Sequence, residues 1–323
     1  MFKRLFALCL SIVLVIPWTL SMTLLAAEND SESQELGMGY IQDDVEWISS
    51  IPVFDVNDYP AGSLEIPDFC DNSTSAYFPQ IGSQGKSNSC TSFATTYYQF
   101  TYEANKANGI VTKPENTYSP QWTYSLVNGG YNTGTTFYGN YGVLSNQGAL
   151  KHSDYDKVFD LNTSEGTADF TTYWSDNTDA KIKALETKAS LYKLPVPVTS
   201  DGTVITFGTG RYTDAGLSML KYMLSQGKIA VISAYFCLVT ANITTEGAAH
   251  YGDFVALGSK VDPTRVTSHA VTIVGYDDNL EIDVNGDGLI EPAERGALKI
   301  ANSHGTGSYN RLCQYISKRP FFK

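Results

Sequence analysis

Apolar residues recur at steps of three and four after Cys90, and this spacing predicts a helix. The apolar stripe consists of Phe93, Tyr97, Phe100, Ala104 and Ala107. Asn108-Gly109 follows, and glycine favours the left-handed conformation in which many helices end. We therefore expect a helix that begins at Cys90, holds this cysteine in its first turn, and ends at Gly109.

Further helices are expected. Residues 118–122 would lead one of them. Apolar residues in phase predict another over residues 214–226, capped by Gly227. Residues 179–193 are also a candidate, and the side chains on its apolar face would be Ile182, Leu185, Ala189 and Tyr192.

Apolar runs predict strands in the second half of the chain. Residues 229–236 form an unbroken run typical of a buried strand, and residues 268–277 and 296–305 read as two more. A cleft between a helical part and a strand-rich part would place residues of each on opposite walls.

Cys90 is the first candidate for chemistry. At a helix start, the unpaired backbone N–H groups and the helix dipole favour the thiolate, which is the nucleophilic form. Gln84, six residues earlier, supplies an amide that could donate hydrogen bonds to a carbonyl oxygen. On these residues alone, a small buried cysteine in a core helix would be the preferred interpretation.

Two later segments change that interpretation. His269 opens the run His-Ala-Val-Thr-Ile-Val-Gly-Tyr, and Asn302 lies in Ile-Ala-Asn-Ser-His-Gly-Thr-Gly. Gln, Cys, His and Asn in this order, in these surroundings, resemble the papain-like cysteine peptidases of the C1 family. The resemblance covers residues 64–307 and is closer to secreted bacterial members than to plant or lysosomal ones.

The resemblance implies a role for each of these residues. Cys90 would be the nucleophile that forms a thioester acyl-enzyme, and His269 would be the general base and acid. Asn302 would orient the imidazole, and Gln84 would donate to the oxyanion, an effect worth about 3–4 kcal/mol in comparable sites. The alternative for His269 is a core histidine whose hydrogen bonds are satisfied.

The chain departs from the family pattern at three positions. Ser87 stands where members commonly have a disulfide-bonded cysteine, and Thr91 stands where an aromatic residue follows the nucleophile. His304 stands where a tryptophan usually shields the His–Asn hydrogen bond, and a smaller polar cover would weaken that bond. Two alternatives therefore stay open: a weak or inactive peptidase-fold protein for binding or adhesion, and an amidase or transpeptidase that acts on cell-wall peptides.

The resemblance also implies an α+β fold with two lobes and the active-site cleft between them. We expect a signal peptide at residues 1–27, an N-terminal extension or short pro-segment at 28–63, and a papain-like peptidase domain at 64–323. The helical lobe would cover about residues 85–212, and the β lobe about residues 213–307. The extension is too short for the folded inhibitory propeptide of many members, so we do not expect inhibition by that device.

Residues 1–27 have the features of an export signal. Lys3 and Arg4 precede a long apolar run, and Ala26-Ala27 offers a small-residue cleavage point. Because the run is long and contains Pro17, an uncleaved anchor is the alternative. Removal of the segment leaves 20 basic and 34 acidic residues, so the formal net charge changes from −12 to −14.

Such an acidic surface argues against nucleic acid or an anionic membrane as a partner. We therefore expect a secreted monomer, free or associated with the cell surface, that acts on peptides or proteins without an organic cofactor. Beyond the signal segment, the cysteines are Cys70, Cys90, Cys237 and Cys313. If Cys90 is free for catalysis, at most one disulfide can form among the other three.

Residues 283–294 match the calcium-binding loop of an EF-hand, with oxygen side chains at the first, third and fifth positions, glycine at the sixth and Glu at the twelfth. The predicted Ca²⁺ ligands are Asp283, Asn285, Asp287, the carbonyl of Leu289, Glu291 and Glu294. Because predicted strands flank the loop, calcium would be structural and not a signal. The alternative is a solvated turn.

Two further segments carry expectations. Gly129-Gly130 and residues 132–134 are candidates for the shelf on which the family lays substrate backbone in antiparallel register, since glycine lets another backbone approach closely; a flexible loop is the alternative. Residues 308–323 form an atypical tail with four basic residues and no acidic one. We expect this tail to be foreign, to form no strand, and to leave an edge of the β lobe unpaired; a naturally short ending that packs is the alternative.

Overall fold

The computed structural model describes residues 10–11, 13–14, 37–52, 66–154, 159–172, 178–191, 214–236, 240–242, 254–256, 267–281, 288–290, 292, 295–305 and 314–317. The helices in these ranges are α1 (Val45–Ser50), α2 (Cys90–Ser92), α3 (Thr101–Asn108), α4 (Pro120–Asn128), α5 (Phe137–Asn146), α6 (Ser164–Thr172), α7 (Thr178–Ala184) and α8 (Asp214–Ser225). A π-helical segment, Phe93–Phe100, joins α2 to α3. Short 3-10 turns lie at Asn72–Thr74, Pro114–Asn116 and His152–Asp154.

One continuous helical run from residue 90 to residue 108 confirms the helix predicted after Cys90. Gly109 ends it with a φ of 65°. The π-helical middle was not predicted by the spacing of apolar residues, because polar Thr95, Thr96 and Gln99 are buried there beside the apolar side chains. Ala107 is exposed and not part of the buried stripe, since the last turn of α3 extends beyond the packed core.

The prediction of a helix over residues 179–193 is wrong in its length and in which side of the helix is buried. Helix α7 ends at Ala184, and Ile182 and Leu185 are 63% and 49% exposed. The buried side chains of α7 are the alanines Ala180 and Ala184, whose small size allows close packing. By contrast, α4 and α8 confirm the helices predicted near residues 118–122 and 214–226.

The strands are β1 (Leu10–Ser11), β2 (Val13–Leu14), β3 (Phe69–Asp71), β4 (Ser190–Leu191), β5 (Ala230–Phe236), β6 (Thr240–Asn242), β7 (Phe254–Ala256), β8 (Thr267–Glu281), β9 (Arg295–Ala301) and β10 (Gln314–Ser317). The main sheet has the order β2-β5-β8-β9-β10-β7-β6, and β3 also pairs with β8. Strands β5, β8 and β9 confirm the three strands predicted from apolar runs. Helices and a mixed sheet in one chain confirm the α+β class.

Strand β10 lies within the basic tail, so the expectation that this tail forms no strand is wrong. β10 pairs antiparallel with β9, with Tyr315 opposite Lys299, and parallel with β7. The edge of β9 is therefore covered by backbone of the tail. Ladder hydrogen bonds use main-chain groups, so weak side-chain alternation did not prevent this pairing.

The two short strands β1 and β2 belong to the expected signal segment. β1 pairs with β4, and β2 pairs with β5. Among the described residues, no helix combines the length and the apolar character that crossing a membrane requires.

The helical run from Cys90 packs directly against the central strand β8. Thr272 on β8 donates its hydroxyl hydrogen to the carbonyl of Ala94 at 3.1 Å. Cys90 belongs to the same buried cluster as Ala270, the residue that follows His269. This contact between helix and sheet brings the start of the helix to the position on β8 where His269 lies.

Candidate active site

Cys90 is fully buried at the start of the helical run. Burial raises the pKa of its thiol to about 11. Backbone N–H groups of Ala270, Thr91 and Gly39 hydrogen-bond to the sulfur and lower the pKa by less than burial raises it. The expectation that the helix start favours the thiolate is therefore wrong for this arrangement, because desolvation of the charged sulfur outweighs the local donors.

His269 and Asn302 are hydrogen-bonded across neighbouring strands β8 and β9. The His269 Nε2 to Asn302 Oδ1 distance is 2.8 Å. The backbone N–H of Ser303 donates to the same Oδ1 at 2.7 Å, which identifies this atom as the amide oxygen. Nε2 must then carry the hydrogen, and in the neutral ring Nδ1 is the basic nitrogen.

The environment of His269 favours the neutral ring. Burial is the largest cause that lowers its pKa, to about 3; repulsion from His304 adds to this, and the bond to Asn302 acts in the opposite direction. Cys90 and His269 are therefore a neutral thiol and a neutral imidazole at neutral pH while both are buried as observed.

A second set of contacts fixes Asn302 through its backbone. The Tyr98 hydroxyl donates to the Asn302 carbonyl at 2.8 Å and accepts from the N–H of Gly82 at 3.0 Å. The spacing of apolar residues does not single out Tyr98, because it lies beside the predicted stripe and not on it. A buried tyrosine needs a partner for its hydroxyl, and that requirement was the available signal.

Gln84 lies buried beside the same strand end. Its Nε2 donates to the carbonyls of Ser87 and Gly37, at 2.7 and 2.9 Å. The hydroxyl of Ser303 donates to Gln84 Oε1, which fixes the orientation of the amide. Both amide hydrogens of Gln84 are thus in use, and the carbonyl of Gly37 occupies the donor that was assigned to an oxyanion. Ser303 was not identified from the sequence.

Residues 37–41, here called the strap, run along the site. The strap pairs with Thr135 in parallel orientation: the N–H of Thr135 donates to the Gly39 carbonyl at 2.7 Å, and the N–H of Ile41 donates to the Thr135 carbonyl at 3.0 Å. The backbone of Gly39 lowers the pKa of the Cys90 thiol, so Gly39 lies close to the sulfur. The strap therefore covers both the thiol and the amide of Gln84.

Two glycines allow the strap to lie this close. A Cβ on Gly37 would be 1.9 Å from the carbonyl oxygen of Ser87, and a Cβ on Gly39 would be 1.9 Å from that of Asn88. Neither distance is compatible with any side chain. The observed path of the strap thus requires glycine at both positions.

Asp43 anchors the strap to the start of α5. Its carboxylate accepts from the N–H groups of Tyr138 and Phe137, at 2.6 and 3.1 Å, and from the Tyr40 hydroxyl at 3.1 Å. The ring of Tyr40 packs on Phe137, with 4.9 Å between ring centroids. Burial raises the pKa of Asp43 to about 6, while the two backbone donors lower it.

The three departures from the family pattern are all buried and in contact with the site. The Ser87 hydroxyl donates to the Gln84 carbonyl at 2.8 Å, and the Thr91 hydroxyl donates to the Thr135 carbonyl at 3.1 Å. The His304 ring stacks on His269, with 4.7 Å between centroids and 27° between planes. Burial lowers the pKa of His304 to about 4, and the nearby Gly37 backbone acts in the opposite direction. His304 therefore covers the imidazole of His269 with a ring that carries polar nitrogen atoms.

The residues of the candidate shelf lie at a helix end and in the loop that follows it. Gly129 has a φ of 64° and ends α4, so its conformation belongs to a helix end. Asn132 binds the backbone N–H and the side chain of Asn88, both at 2.9 Å. The backbone that pairs with the strap is that of Thr135, immediately after Gly134.

Most of the predicted calcium loop lies outside the described residues, namely Asp283, Asn285, Asp287, Glu291 and Glu294. Leu289 is described and is 67% exposed. Gly288, at the sixth position of the motif, has a φ of 83°, as the sharp turn of such a loop requires. Cys70 and Cys90 are free thiols, and Cys237 and Cys313 also lie outside the described residues.

No family model matches the sequence, and the curated proteins contain no similar sequence. Solved structures do match. Xylellain, a cysteine protease from Xylella fastidiosa, is similar with a TM-score of 0.53 and 16% identity, covering 90% of this chain and 93% of its own. Procathepsin B S9 from Trypanosoma congolense is similar with a TM-score of 0.52 and 15% identity, covering 89% and 82%. These similarities, with the α+β architecture and the helix-to-sheet contact at Cys90, show that the chain has the papain-like fold.

Proposed function

We propose that this protein is an exported cysteine peptidase that hydrolyses peptide bonds through a thioester on Cys90. The observation that carries the proposal is the 2.8 Å bond from His269 Nε2 to Asn302 Oδ1. The residue after His269, Ala270, lies in the same buried cluster as Cys90. The His269–Asn302 bond directs the basic Nδ1 away from Asn302, so the ring can take a proton from a thiol.

The residues support a complete hydrolytic cycle. The Cys90 proton moves to His269 Nδ1 while the sulfur attacks the carbonyl carbon, and Gln84 Nε2 donates to the oxyanion once the Gly37 carbonyl has left it. The C–N bond then breaks, and His269 gives the proton to the leaving amine. Water hydrolyses the thioester by the reverse proton route, which restores the thiol.

The strap lies within residues 28–63 and would act as a short inhibitory pro-segment. It pairs in parallel with Thr135, whereas the resemblance implies antiparallel pairing for a substrate. A chain that runs in the opposite direction does not present its carbonyl carbon to the sulfur in the order that cleavage needs. Inhibition here would need only five residues in the cleft and no folded propeptide, so the short extension is sufficient for it.

Labelling of Cys90 with a peptidyl epoxide tests the proposal. Epoxides of this type alkylate thiols that are paired with an imidazole, so the chain from which the strap has been removed should gain one label at Cys90 and lose hydrolysis of a fluorogenic peptide. Cys70→Ser is the matched control, because Cys70 is the other described free thiol, and it should leave labelling intact. Absence of both label and hydrolysis after the strap has been removed would favour the binding or adhesion protein.

Calcium is proposed as a structural ion of the loop between β8 and β9, and the φ of 83° at Gly288 supports this. Chelation should lower the thermal midpoint of the calcium-loaded protein, because a ligand at about a hundred times its Kd contributes about 2.7 kcal/mol to stability. Glu294→Gln should abolish the response, and Glu165→Gln, at an exposed position of α6, should keep it. A melting curve that does not change with chelator, for protein shown to contain calcium, would leave only a solvated turn.

A further inference from the structure

The hydroxyl of Thr91 contacts both the sulfur of Cys90 and the backbone of Thr135. The distance from Thr91 Oγ1 to Cys90 Sγ is 3.9 Å, and Oγ1 donates to the Thr135 carbonyl at 3.1 Å. Thr91 and Cys90 are both fully buried, so water does not compete for these contacts. A hydroxyl has one hydrogen and two lone pairs. Because Thr135 takes that hydrogen, the thiol must be the donor in the contact between Cys90 and Thr91.

The Thr135 carbonyl has a second donor, and this allows the hydroxyl of Thr91 to turn away from it. The second donor is the N–H of Ile41, at 3.0 Å. When the hydroxyl turns, the carbonyl keeps that hydrogen bond, so the rotation leaves no buried acceptor unpaired. The hydroxyl can then donate to the sulfur of Cys90. A thiolate cannot donate, and hydrogen bonds to a charged acceptor are shorter and roughly twice as strong as neutral ones. Rotation of Thr91 is therefore favoured when Cys90 loses its proton.

The other titratable groups near the sulfur keep their charge in mildly alkaline solution. In the part of the chain that the structure describes, these groups are His269, His304, Tyr124, Tyr40 and, behind Tyr40, Asp43. Burial lowers the pKa of the two imidazoles to about 3 and about 4, and it raises the pKa of both tyrosines well above their usual range. Burial raises the pKa of the carboxyl to about 6. A change in the reactivity of Cys90 between about pH 8 and pH 10 therefore reports on the thiol itself.

Resting on the function proposed above, in which Cys90 is the nucleophile, we propose that Thr91 is a catalytic residue whose hydroxyl accepts a hydrogen bond from the thiol at rest and donates one to the sulfur when Cys90 is ionised. The thiol proton still moves to His269 Nδ1, and the hydroxyl exchanges its bond to the Thr135 carbonyl for a bond to the charged sulfur. Threonine at this position, where the family has an aromatic residue, thus supplies a donor to a sulfur whose burial disfavours ionisation.

Two substitutions separate the hydroxyl of Thr91 from the rest of its side chain. Thr91→Val removes the hydroxyl and keeps the branched shape, whereas Thr91→Ser keeps the hydroxyl. Thr96→Val is the matched control, because it removes another buried hydroxyl of the same helical run, one that bonds to Thr123 at 2.8 Å. The measurement is the rate at which iodoacetamide alkylates Cys90 between about pH 8 and pH 10, with Cys70 as the internal reference.

Thr91→Val should slow this alkylation roughly two- to fourfold. Loss of one hydrogen bond to the sulfur should reduce the thiolate fraction about three- to tenfold, and the greater nucleophilicity of the more basic thiolate offsets part of that loss. Thr91→Ser and Thr96→Val should both react at the wild-type rate. The series is repeated in the Gly39→Ala chain, in which the strap cannot keep its observed path, so that access to Cys90 does not limit the rate.

Equal rates for Thr91→Val and wild type in both chains would overturn the proposal. A loss in Thr91→Ser as large as in Thr91→Val would also overturn it, because the effect would then not depend on the hydroxyl. These rates need no turnover, so they decide the role of Thr91 even if no form of the protein hydrolyses peptides, the result that would contradict the peptidase proposal. In a form that does hydrolyse peptides, Thr91→Val should move the acidic limb of the pH profile of kcat/KM to higher pH and Thr91→Ser should not, whereas an unmoved limb in Thr91→Val would count against the proposed donor.

Discussion

Replacement of Cys90 by alanine should reduce peptide hydrolysis by roughly 10⁴-fold or more, because no other group can form the thioester. His269→Ala should reduce it to nearly the same extent, since the thiol and the imidazole act as a unit. Asn302→Ala should cost less, because Asn302 orients the ring without exchanging protons. The measurement is kcat/KM for a quenched peptide, with the thermal midpoint recorded to show that each variant folds.

Cys70→Ala is the matched control for this series. It removes the other described thiol, which hydrogen-bonds to the carbonyl of Leu224 far from the site, so activity should be retained. Turnover near the wild-type level in either Cys90→Ala or His269→Ala would contradict the thioester mechanism. The assignment of the papain-like fold would still stand, since it rests on architecture and not on these side chains.

The sequence was informative wherever one periodic pattern decided the local structure. Strands β5, β8 and β9 follow from runs of apolar residues, and helix α8 follows from apolar residues in phase on one face. The length and the buried face of helix α7 were predicted wrongly. Ile182 and Leu185 are large and apolar yet exposed, whereas the small Ala180 and Ala184 are buried. Which face of a short helix is buried depends on the space that its neighbours leave, and a one-dimensional pattern does not contain that information.

In the candidate site, too, the sequence predicted some features and not others. Cys90, His269, Asn302 and Gln84 could be selected from their residue types and their local sequence, and the structure places His269 against Asn302. The electrostatics could not be predicted, because the pKa of Cys90 depends on what covers it. Its cover is a strap that lies about fifty residues earlier in the chain.

Substitution of Gly39 by alanine should expose Cys90 and increase its alkylation by iodoacetamide at pH 7. The new Cβ would be 1.9 Å from the Asn88 carbonyl oxygen, so the strap cannot keep its observed path. A pKa of about 11 leaves roughly one thiol in 10⁴ ionised at pH 7, whereas an ordinary cysteine is about 3% ionised. The gain in thiolate, about 300-fold, is offset by roughly tenfold lower nucleophilicity, so the rate should rise about 30-fold.

The two proteins should also differ in how the alkylation rate of Cys90 depends on pH. Because burial raises the pKa of the thiol, wild-type alkylation should keep rising with pH up to about 11, whereas Gly39→Ala should level off at a lower pH. Gly142→Ala in α5 is the matched control, since a Cβ there meets nothing within 4 Å, and it should behave as wild type. Cys70 in the same sample provides an internal reference rate, because it lies away from the strap. An unchanged rate and pH profile for Gly39→Ala would mean that the strap does not control access to Cys90, and the pro-segment role of residues 37–41 would then have to be abandoned.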